Sequence, residues 1–137
     1  MTMTPEETAE FVNRLYATCA QGDWDTVATM LTDDFVAYEA DTLPMKGSYH
    51  GWEGLRTLYS KAFQQVDLGE IEPTGMALGE NLAIVVINMH FADPDLAPAE
   101  LCELFRFRDG KCCEIKPYYY DPAPFVAAHE AKLAKAG

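Results

Sequence analysis

Basic residues are scarce in this sequence: 10 Lys and Arg stand against 22 Asp and Glu, and the formal net charge is −12. Binding to nucleic acid or to an anionic membrane surface needs clustered Lys and Arg, so the charge argues against both partners. Long apolar runs are missing too, and the longest, Leu82–Ile87, is far too short to span a bilayer. Residues 1–8 have neither the basic nor the apolar region of a secretory signal. We therefore expect a cytoplasmic protein that does not bind membranes.

Motifs for disulfides, metals and phosphates are also missing. Cys19, Cys102, Cys112 and Cys113 fit neither a CxxC pair nor a disulfide framework, so we expect buried or half-buried free thiols in a reducing compartment. The sequence has no HxH, HxxxH or carboxylate cluster at metal-ligand spacing. Gly-rich phosphate loops and a GxSxG nucleophile turn are absent. These absences predict chemistry without a metal or another cofactor.

What the sequence does have is enough apolar material for a core. Its 137 residues are 49% hydrophobic and 12% aromatic, which suits one folded domain spanning residues 1–137. The segment Thr4–Glu7 has the residues of a capping box and predicts the start of a first helix, which Gly22 ends. Asp23 is a candidate cap for a second helix, and apolar residues at helical spacing predict a third over Trp52–Val66.

After residue 69 the apolar period changes from that of a helix to that of a strand. Asp109-Gly110 is a two-residue turn signal that joins antiparallel strands. Residues 123–137 form a C-terminal tail, either a short helix or frayed. The predicted strands are Phe35–Ala40, Ile71–Leu78, Leu82–Ala92, Ala99–Arg108 and Lys111–Tyr120. We predict an α+β fold in which three N-terminal helices pack on a curved, mostly antiparallel sheet and enclose a conical pocket.

Five stretches resemble a known superfamily, and they extend over nearly the whole chain. They are Gly22–Asp25, Leu31–Phe35, Tyr49–Leu55, Phe105–Lys111 and Glu114–Asp121. The element order and these stretches resemble the NTF2-like superfamily, and within it the SnoaL-like and ketosteroid-isomerase-like proteins. The resemblance implies a cone-shaped fold and a homodimer formed through the exposed face of the sheet. It does not select one function, because this fold carries isomerases, cyclases, hydrolases, dehydratases and non-enzymatic binders.

Glu39 ends the predicted first strand. In the resemblance it occupies the position at which ketosteroid isomerases keep their general-base carboxylate. A carboxyl group at the mouth of an apolar cavity has a raised pKa and can move a proton between carbon atoms. The alternative is that Glu39 is a solvated acid at a strand end.

Glu103 is an acid on a strand face that is otherwise apolar. Alternation places it between Leu101 and Phe105 on one face. The resemblance puts it where ketosteroid isomerases hold a protonated carboxylic acid in the oxyanion hole. The alternatives are an ion pair with Arg106 or Arg108, or a sheet face that packs against a second subunit.

The resemblance departs from the family at the oxyanion tyrosine of the first helix, which aligns with Leu15, whereas the tyrosine here is Tyr16. One residue turns a helical side chain by about 100°, so we expect this hydrogen bond to be missing. The alternative is that the helix is rotated and Tyr16 approaches the site. Both aligned acids are glutamates where the family has aspartates, which argues against steroid isomerisation. The further ligand-binding candidates are Tyr16, Tyr59, Phe105, Ile115 and Tyr119, of which Tyr59 matches a pocket tyrosine of the family.

His90 is the third candidate for catalysis. It lies in register with Asn88 on an otherwise apolar strand, and a histidine beside a carboxylate can form an acid/base pair. The alternative is that His90 lies on an outward face of the sheet.

Two functions follow from the candidate residues. One is cofactor-free acid/base chemistry on a small apolar molecule, with Glu39 as base and Glu103 as neutral donor. The other is a ligand-binding or structural homodimer without chemistry.

Overall fold

A computed structural model of the chain describes residues 2–136, which form four α-helices and six β-strands. The helices are α1 (Pro5–Ala20), α2 (Trp24–Met30), α3 (Gly51–Gln65) and α4 (Ala123–Ala136). The strands are β1 (Leu31–Glu39), β2 (Gly47–His50), β3 (Leu68–Gly79), β4 (Leu82–Phe91), β5 (Ala99–Arg108) and β6 (Lys111–Tyr119). They form one curved sheet in the order β2-β1-β6-β5-β4-β3. The predicted α+β class is confirmed.

Local signals in the sequence account for the element boundaries. The Thr4 hydroxyl accepts from the backbone N–H of Glu7, whose carboxylate accepts from the N–H of Thr4, so α1 begins with a complete capping box. Asp23 caps α2 through the N–H of Thr26. Asp109 and Gly110 have φ of 53° and 76°, so the turn between β5 and β6 has positive φ at both central residues.

Three elements differ from the sequence prediction. β1 begins at Leu31 rather than Phe35, so Asp33 and Asp34 lie within the strand. Strand β2 was not predicted, because in Gly47–His50 only Tyr49 is buried and four residues cannot display an alternating pattern. α3 therefore follows two strands of the sheet, β1 and β2, instead of the one predicted before it. For the C-terminal tail, the helical alternative is correct over Ala123–Ala136.

Parallel pairing of β1 with β6 is the connection that shapes one end of the molecule. Ala37 pairs with Ile115 in this parallel ladder, whereas all other neighbouring strands are antiparallel. Because parallel strands run in the same direction, the C-terminal residues of β1 and β6 meet at the same edge of the sheet. Glu39 and Tyr119, which end these strands, therefore lie at that edge.

The core fills the space between the helices and the inner face of the sheet. On β5 the buried residues Leu101, Phe105 and Phe107 alternate with more exposed ones, and Glu103 lies on the same inner face. All four cysteines are free thiols, two buried and two half-buried. Within residues 2–136, no helix combines the length and apolar character needed to cross a membrane.

Candidate functional site

A hydrogen bond between α1 and β5 forms the centre of the site. The Tyr16 hydroxyl donates to Oε1 of Glu103 at 2.5 Å, and the Tyr16 ring packs edge-on against Phe105 with centroids 5.4 Å apart. Leu15 is 1% exposed and packs in the core. The expectation that this hydrogen bond would be missing was therefore wrong, because α1 presents position 16, not position 15, to Glu103.

Glu103 lies in an apolar environment that disfavours its charge. Burial raises the pKa of this carboxyl, and the hydrogen bond from Tyr16 opposes part of that effect. Neither suggested arginine neutralises it, since Arg106 pairs with Glu114 at 3.4 Å and Arg108 pairs with Asp34. The ion-pair alternative for Glu103 is therefore wrong, as is its placement on the outer face of the sheet.

Tyr16 keeps its proton in this arrangement. Burial raises the pKa of the phenol, and the neighbouring charge of Glu103 and the hydrogen bond to it raise the pKa further. The protonated phenol donates its hydrogen to Oε1 of Glu103. The remaining oxygen of Glu103, when protonated, is then the group that can donate to a bound molecule.

Glu39 lies at the end of β1 and is the most isolated acid of the site. Its Oε1 atom is buried and has no hydrogen-bond partner among residues 2–136. Burial, followed by the nearby charge of Glu103, raises the pKa of Glu39 to about 8. Glu39 and Tyr119 line one cavity of about 430 Å³ at the edge where β1 and β6 end.

Aromatic side chains surround these two acids. Tyr119 on β6 packs edge-on against Phe125 at 6.3 Å, and its pKa is raised by burial and by the charges of Glu39 and Glu103. Tyr59 on α3 is half-buried, and burial raises the pKa of its phenol well above the ordinary range. Each of these two phenols therefore remains a neutral hydrogen-bond donor.

Phe105 and Ile115 are core residues on the neighbouring strands β5 and β6. Phe105 is 1% exposed and Ile115 is buried beside it on β6, where the two are paired across the ladder. Both face inward as expected from the alternation. Phe105 lies two residues from Glu103 on the same face of β5, so it adds apolar surface on that face.

His90 does not reach the site. Val85 and Ile87 on β4 point inward, so His90 lies on the outer face of the sheet, whereas Glu103 lies on the inner face. Its Nε2 is 3.0 Å from Oε1 of Glu72, and the two side chains are 40% and 44% exposed. The structure thus separates His90 from Glu39 and Glu103. The alternative, that His90 lies on an outward face of the sheet, is correct.

Two nearby residues were not among the sequence candidates. The Trp24 ring packs edge-on against Tyr59 at 5.6 Å, and the Cys19 thiol, whose pKa burial raises to about 11, lies close to the same tyrosine. Their helical spacing indicated only that they were buried, which does not distinguish a core residue from a cavity wall. Within residues 2–136, no three His, Cys, Asp or Glu side chains are grouped so as to hold a metal ion.

Comparisons with known proteins agree with the architecture. A family model described as the SnoaL-like domain matches residues 12–115. An NTF2-like protein from Burkholderia xenovorans LB400 has a TM-score of 0.78 and 19% identity, covering 93% of this chain and 98% of that one. Bal32a, from a soil-derived mobile gene cassette, has a TM-score of 0.76 and 16% identity, and the match covers 91% of this chain and 98% of Bal32a.

A third solved structure of the same fold is TerC, co-crystallised with polyporic acid. Its TM-score is 0.73 at 14% identity, with coverage of 90% of this chain and 98% of TerC. At such identities the likeness shows the fold alone, and none of the curated proteins matches the chain at a significant level. The family model, however, extends over most of the chain. The chain belongs to the SnoaL-like domain family within the NTF2-like fold.

Proposed function

We propose that the protein binds a small, largely apolar molecule between the helices and the sheet and performs acid/base chemistry on it without a cofactor. Glu39 is the base and Glu103 is the neutral hydrogen-bond donor. The observation that carries the proposal is the Glu39 carboxyl, whose Oε1 atom is buried without a hydrogen-bond partner among residues 2–136 and whose pKa is raised to about 8. A general base works best when its pKa lies near the operating pH.

The two acids have complementary roles in a proton transfer. The carboxylate form of Glu39 removes a proton from the carbon next to a carbonyl group of the ligand. Glu103, kept protonated by burial, donates a hydrogen bond to the carbonyl oxygen and stabilises the negative charge that develops there. Glu39 then returns the proton to the same or another carbon, which regenerates the carboxylate. Isomerisation, cyclisation, dehydration and hydrolysis can all use such a pair.

Tyr16 acts in this scheme through Glu103. Its hydroxyl occupies Oε1 of Glu103, which leaves the second carboxyl oxygen to carry the proton that is donated to the ligand. The TerC complex with polyporic acid supports the choice of a small organic ligand for this fold. His90, on the outer face, has no part in the proposed chemistry.

Hydrogen exchange into candidate substrates tests the proton transfer itself, whichever overall reaction it serves. A panel of small enolisable ketones is incubated with the protein in D2O, and deuterium incorporation next to the carbonyl is followed by NMR. We expect at least one ketone to exchange faster with the protein, and Glu39→Gln to abolish the acceleration. Glu53→Gln, which changes an exposed acid on α3, is the matched control and should leave the rate unchanged.

An acceleration that survives in Glu39→Gln would contradict the assignment of the base. Absence of any acceleration, together with measurable ligand binding, would favour the alternative function, a ligand-binding or structural module without chemistry. One observation supports that alternative: Phe105 is fully buried and Tyr16 packs on it, so aromatic side chains already occupy part of the cone. Ligand binding and exchange together therefore separate the two functions.

We further propose that the outer face of the sheet pairs two copies of the chain, in a reducing compartment such as the cytoplasm. Val86 and Tyr118 are large side chains on this face that are 40% and 56% exposed, which supports an apolar contact surface. The four free thiols support the compartment. Analytical ultracentrifugation should give a dimer that Val86→Glu dissociates, and a wild-type monomer at micromolar concentration would contradict the pairing.

A further inference from the structure

The hydrogen-bonded ladder between β1 and β6 stops before either strand ends. Ala37 and Ile115 form its last pair, although β1 continues to Glu39 and β6 to Tyr119. Beyond this pair the structure, over residues 2–136, has no ladder bond between the two strand ends. Each end stays paired on its other side, β1 with β2 and β6 with β5. The sheet is therefore split between β1 and β6 at the edge where both strands end.

Proline at position 117 explains where the ladder stops. The N–H of Tyr120 donates to the carbonyl oxygen of Glu100, and alternate residues of an antiparallel strand bond to the same neighbour. The even-numbered residues at this end of β6 therefore bond to β5, whereas Ile115 and Pro117 direct their backbone groups toward β1. An N–H at position 117 would come next in the parallel ladder and would donate to the carbonyl oxygen of Tyr38. Proline has no N–H, so this bond cannot form.

Pro117 lies between the two acids of the site. It is buried on the inner face and pairs with Glu103 across the ladder between β5 and β6. On its other side, the register of Ala37 with Ile115 puts Glu39 level with Pro117, two residues farther along each strand. The order across the inner face is therefore Glu39, Pro117, Glu103. A ligand that contacts both acids must lie over Pro117.

The cavity beside Glu39 lies where the two strands separate. Glu39, Pro117 and Tyr119 line it from the inner face of the sheet. Asp41 and Thr42, two exposed residues that follow β1, line it where it meets solvent. The outer side of the cavity belongs to the sheet face that we assign to the pairing of two copies. The approach that remains for a ligand runs past the strand ends.

We propose that Pro117 is a positioning residue that keeps the site open. By leaving the Tyr38 carbonyl without a donor from β6, it separates the ends of β1 and β6 and forms the cavity that gives a ligand access to Glu39. The inference rests on the proposed binding of a small molecule beside Glu39 and adds the residue that makes room for it. Another amino acid at position 117 supplies an N–H, which extends the ladder and draws β1 against β6.

Pro117→Ala tests the proposal, because its effects on side-chain volume and on the backbone oppose each other. Alanine is smaller than proline, so the change of side chain alone would enlarge the cavity, whereas the new N–H would close it. Closure should produce a scalar coupling across the new hydrogen bond, seen by NMR between the amide nitrogen of residue 117 and the carbonyl carbon of Tyr38. Closure should also raise the pKa of Glu39 further, because water is excluded and Glu103 comes closer. A substitution that only loosened the strands would admit water and lower that pKa.

Ligand binding is measured with N-phenyl-1-naphthylamine, an uncharged fluorescent probe for apolar sites. Pro117→Ala should weaken its binding by about fivefold, because the probe must break the hydrogen bond that the variant has gained. Pro117→Val, whose side chain favours strands, should show the same coupling and replaces the alanine variant if that variant does not fold. The matched control is Pro73→Ala on the edge strand β3, at an exposed proline outside the cavity. It should leave the probe affinity and the pKa of Glu39 unchanged.

The outcomes separate this inference from the proposed function. If neither variant shows the coupling to Tyr38, or if the pKa of Glu39 falls, the role of Pro117 is overturned and the proposed acid/base function stands. The same holds if the coupling appears while the probe binds as tightly as to the wild type. If the wild-type protein binds no probe and accelerates no exchange into ketones, the proposed function is contradicted, and the inference about Pro117 is overturned with it.

Discussion

The Tyr16 phenol donates a 2.5 Å hydrogen bond to the Glu103 carboxyl, joining residues 87 positions apart on α1 and β5. This bond fixes which oxygen of Glu103 is occupied and which is free. It also opposes the effect of burial on the pKa of Glu103, so the two residues set the protonation of the site together.

Replacement of Tyr16 by Phe removes that bond and keeps the aromatic packing against Phe105. The pKa of Glu103 should rise further, because the bond lowers it in the wild type. The free energy of unfolding should fall by about 1 kcal/mol, the ordinary contribution of one hydrogen bond. Carboxyl NMR and urea denaturation measure the two effects. Tyr120→Phe, at a tyrosine that is 86% exposed, should change neither, and an unchanged Glu103 pKa in Tyr16→Phe would contradict the coupling.

Glu39 makes the stability of the protein dependent on pH. The folded carboxyl has its pKa raised to about 8, whereas the ordinary value is 4.5. Between these values the folded chain keeps a proton that the unfolded chain has lost, so stability falls as pH rises through this window and stops falling above it. Glu39→Gln lacks this dependence. The variant should match the wild type below the window and exceed it above by a few kcal/mol, since each unit of pKa difference corresponds to about 1.4 kcal/mol.

Urea denaturation of both proteins across this pH range measures the difference. Glu53→Gln, an exposed glutamate on α3, serves as the control and should track the wild type at every pH. A difference between Glu39→Gln and the wild type that does not grow with pH would show that Glu39 titrates at an ordinary pKa.

His90 should be dispensable for the site. Its pair with Glu72 is exposed, so His90→Gln should change the free energy of unfolding by less than about 1 kcal/mol. The pKa of Glu72 should rise in the variant, because the hydrogen bond from His90 lowers it. Deuterium exchange into ketones should match the wild type. A loss of the accelerated exchange in His90→Gln would place His90 in the function after all.

Gly110 should be difficult to replace. Its φ of 76° lies in the left-handed region, where a Cβ introduces strain, so Gly110→Ala should destabilise the fold by about 1 kcal/mol. Gly75→Ala is the control, because a Cβ at that position meets no atom within 4 Å and the backbone there does not have positive φ. Equal stability of the two variants in urea would contradict the importance of the β5–β6 turn.

The sequence was most informative where local chemistry decides the structure. Strand β5 has the predicted bounds, Ala99–Arg108, because a clear alternation precedes an unambiguous Asp-Gly turn. The first helix begins where its capping box predicts. The short strand β2 was missed because its pairing with β1 depends on tertiary contacts rather than on a pattern of its own.

In the candidate site, too, local sequence predicted some features and tertiary packing decided the others. Alternation alone placed Glu103 on the inner face, and that placement is correct. Which residue of α1 reaches Glu103, Tyr16 rather than Leu15, depends on packing of the whole helix, which a residue-by-residue alignment does not contain. His90 shares the alternating pattern of a buried strand, but β4 presents it outward, and which face of a strand is buried is decided by the neighbouring elements.

The titration of Glu39 itself tests the proposed acid/base role most directly. Carboxyl NMR of protein labelled at glutamate, with Glu39→Gln to assign the resonance, yields its pKa in the folded state. We predict a value of about 8, set by burial and by the charge of Glu103. A value near that of a solvated glutamate, about 4.3, would contradict the role of Glu39 as a base in an apolar cavity.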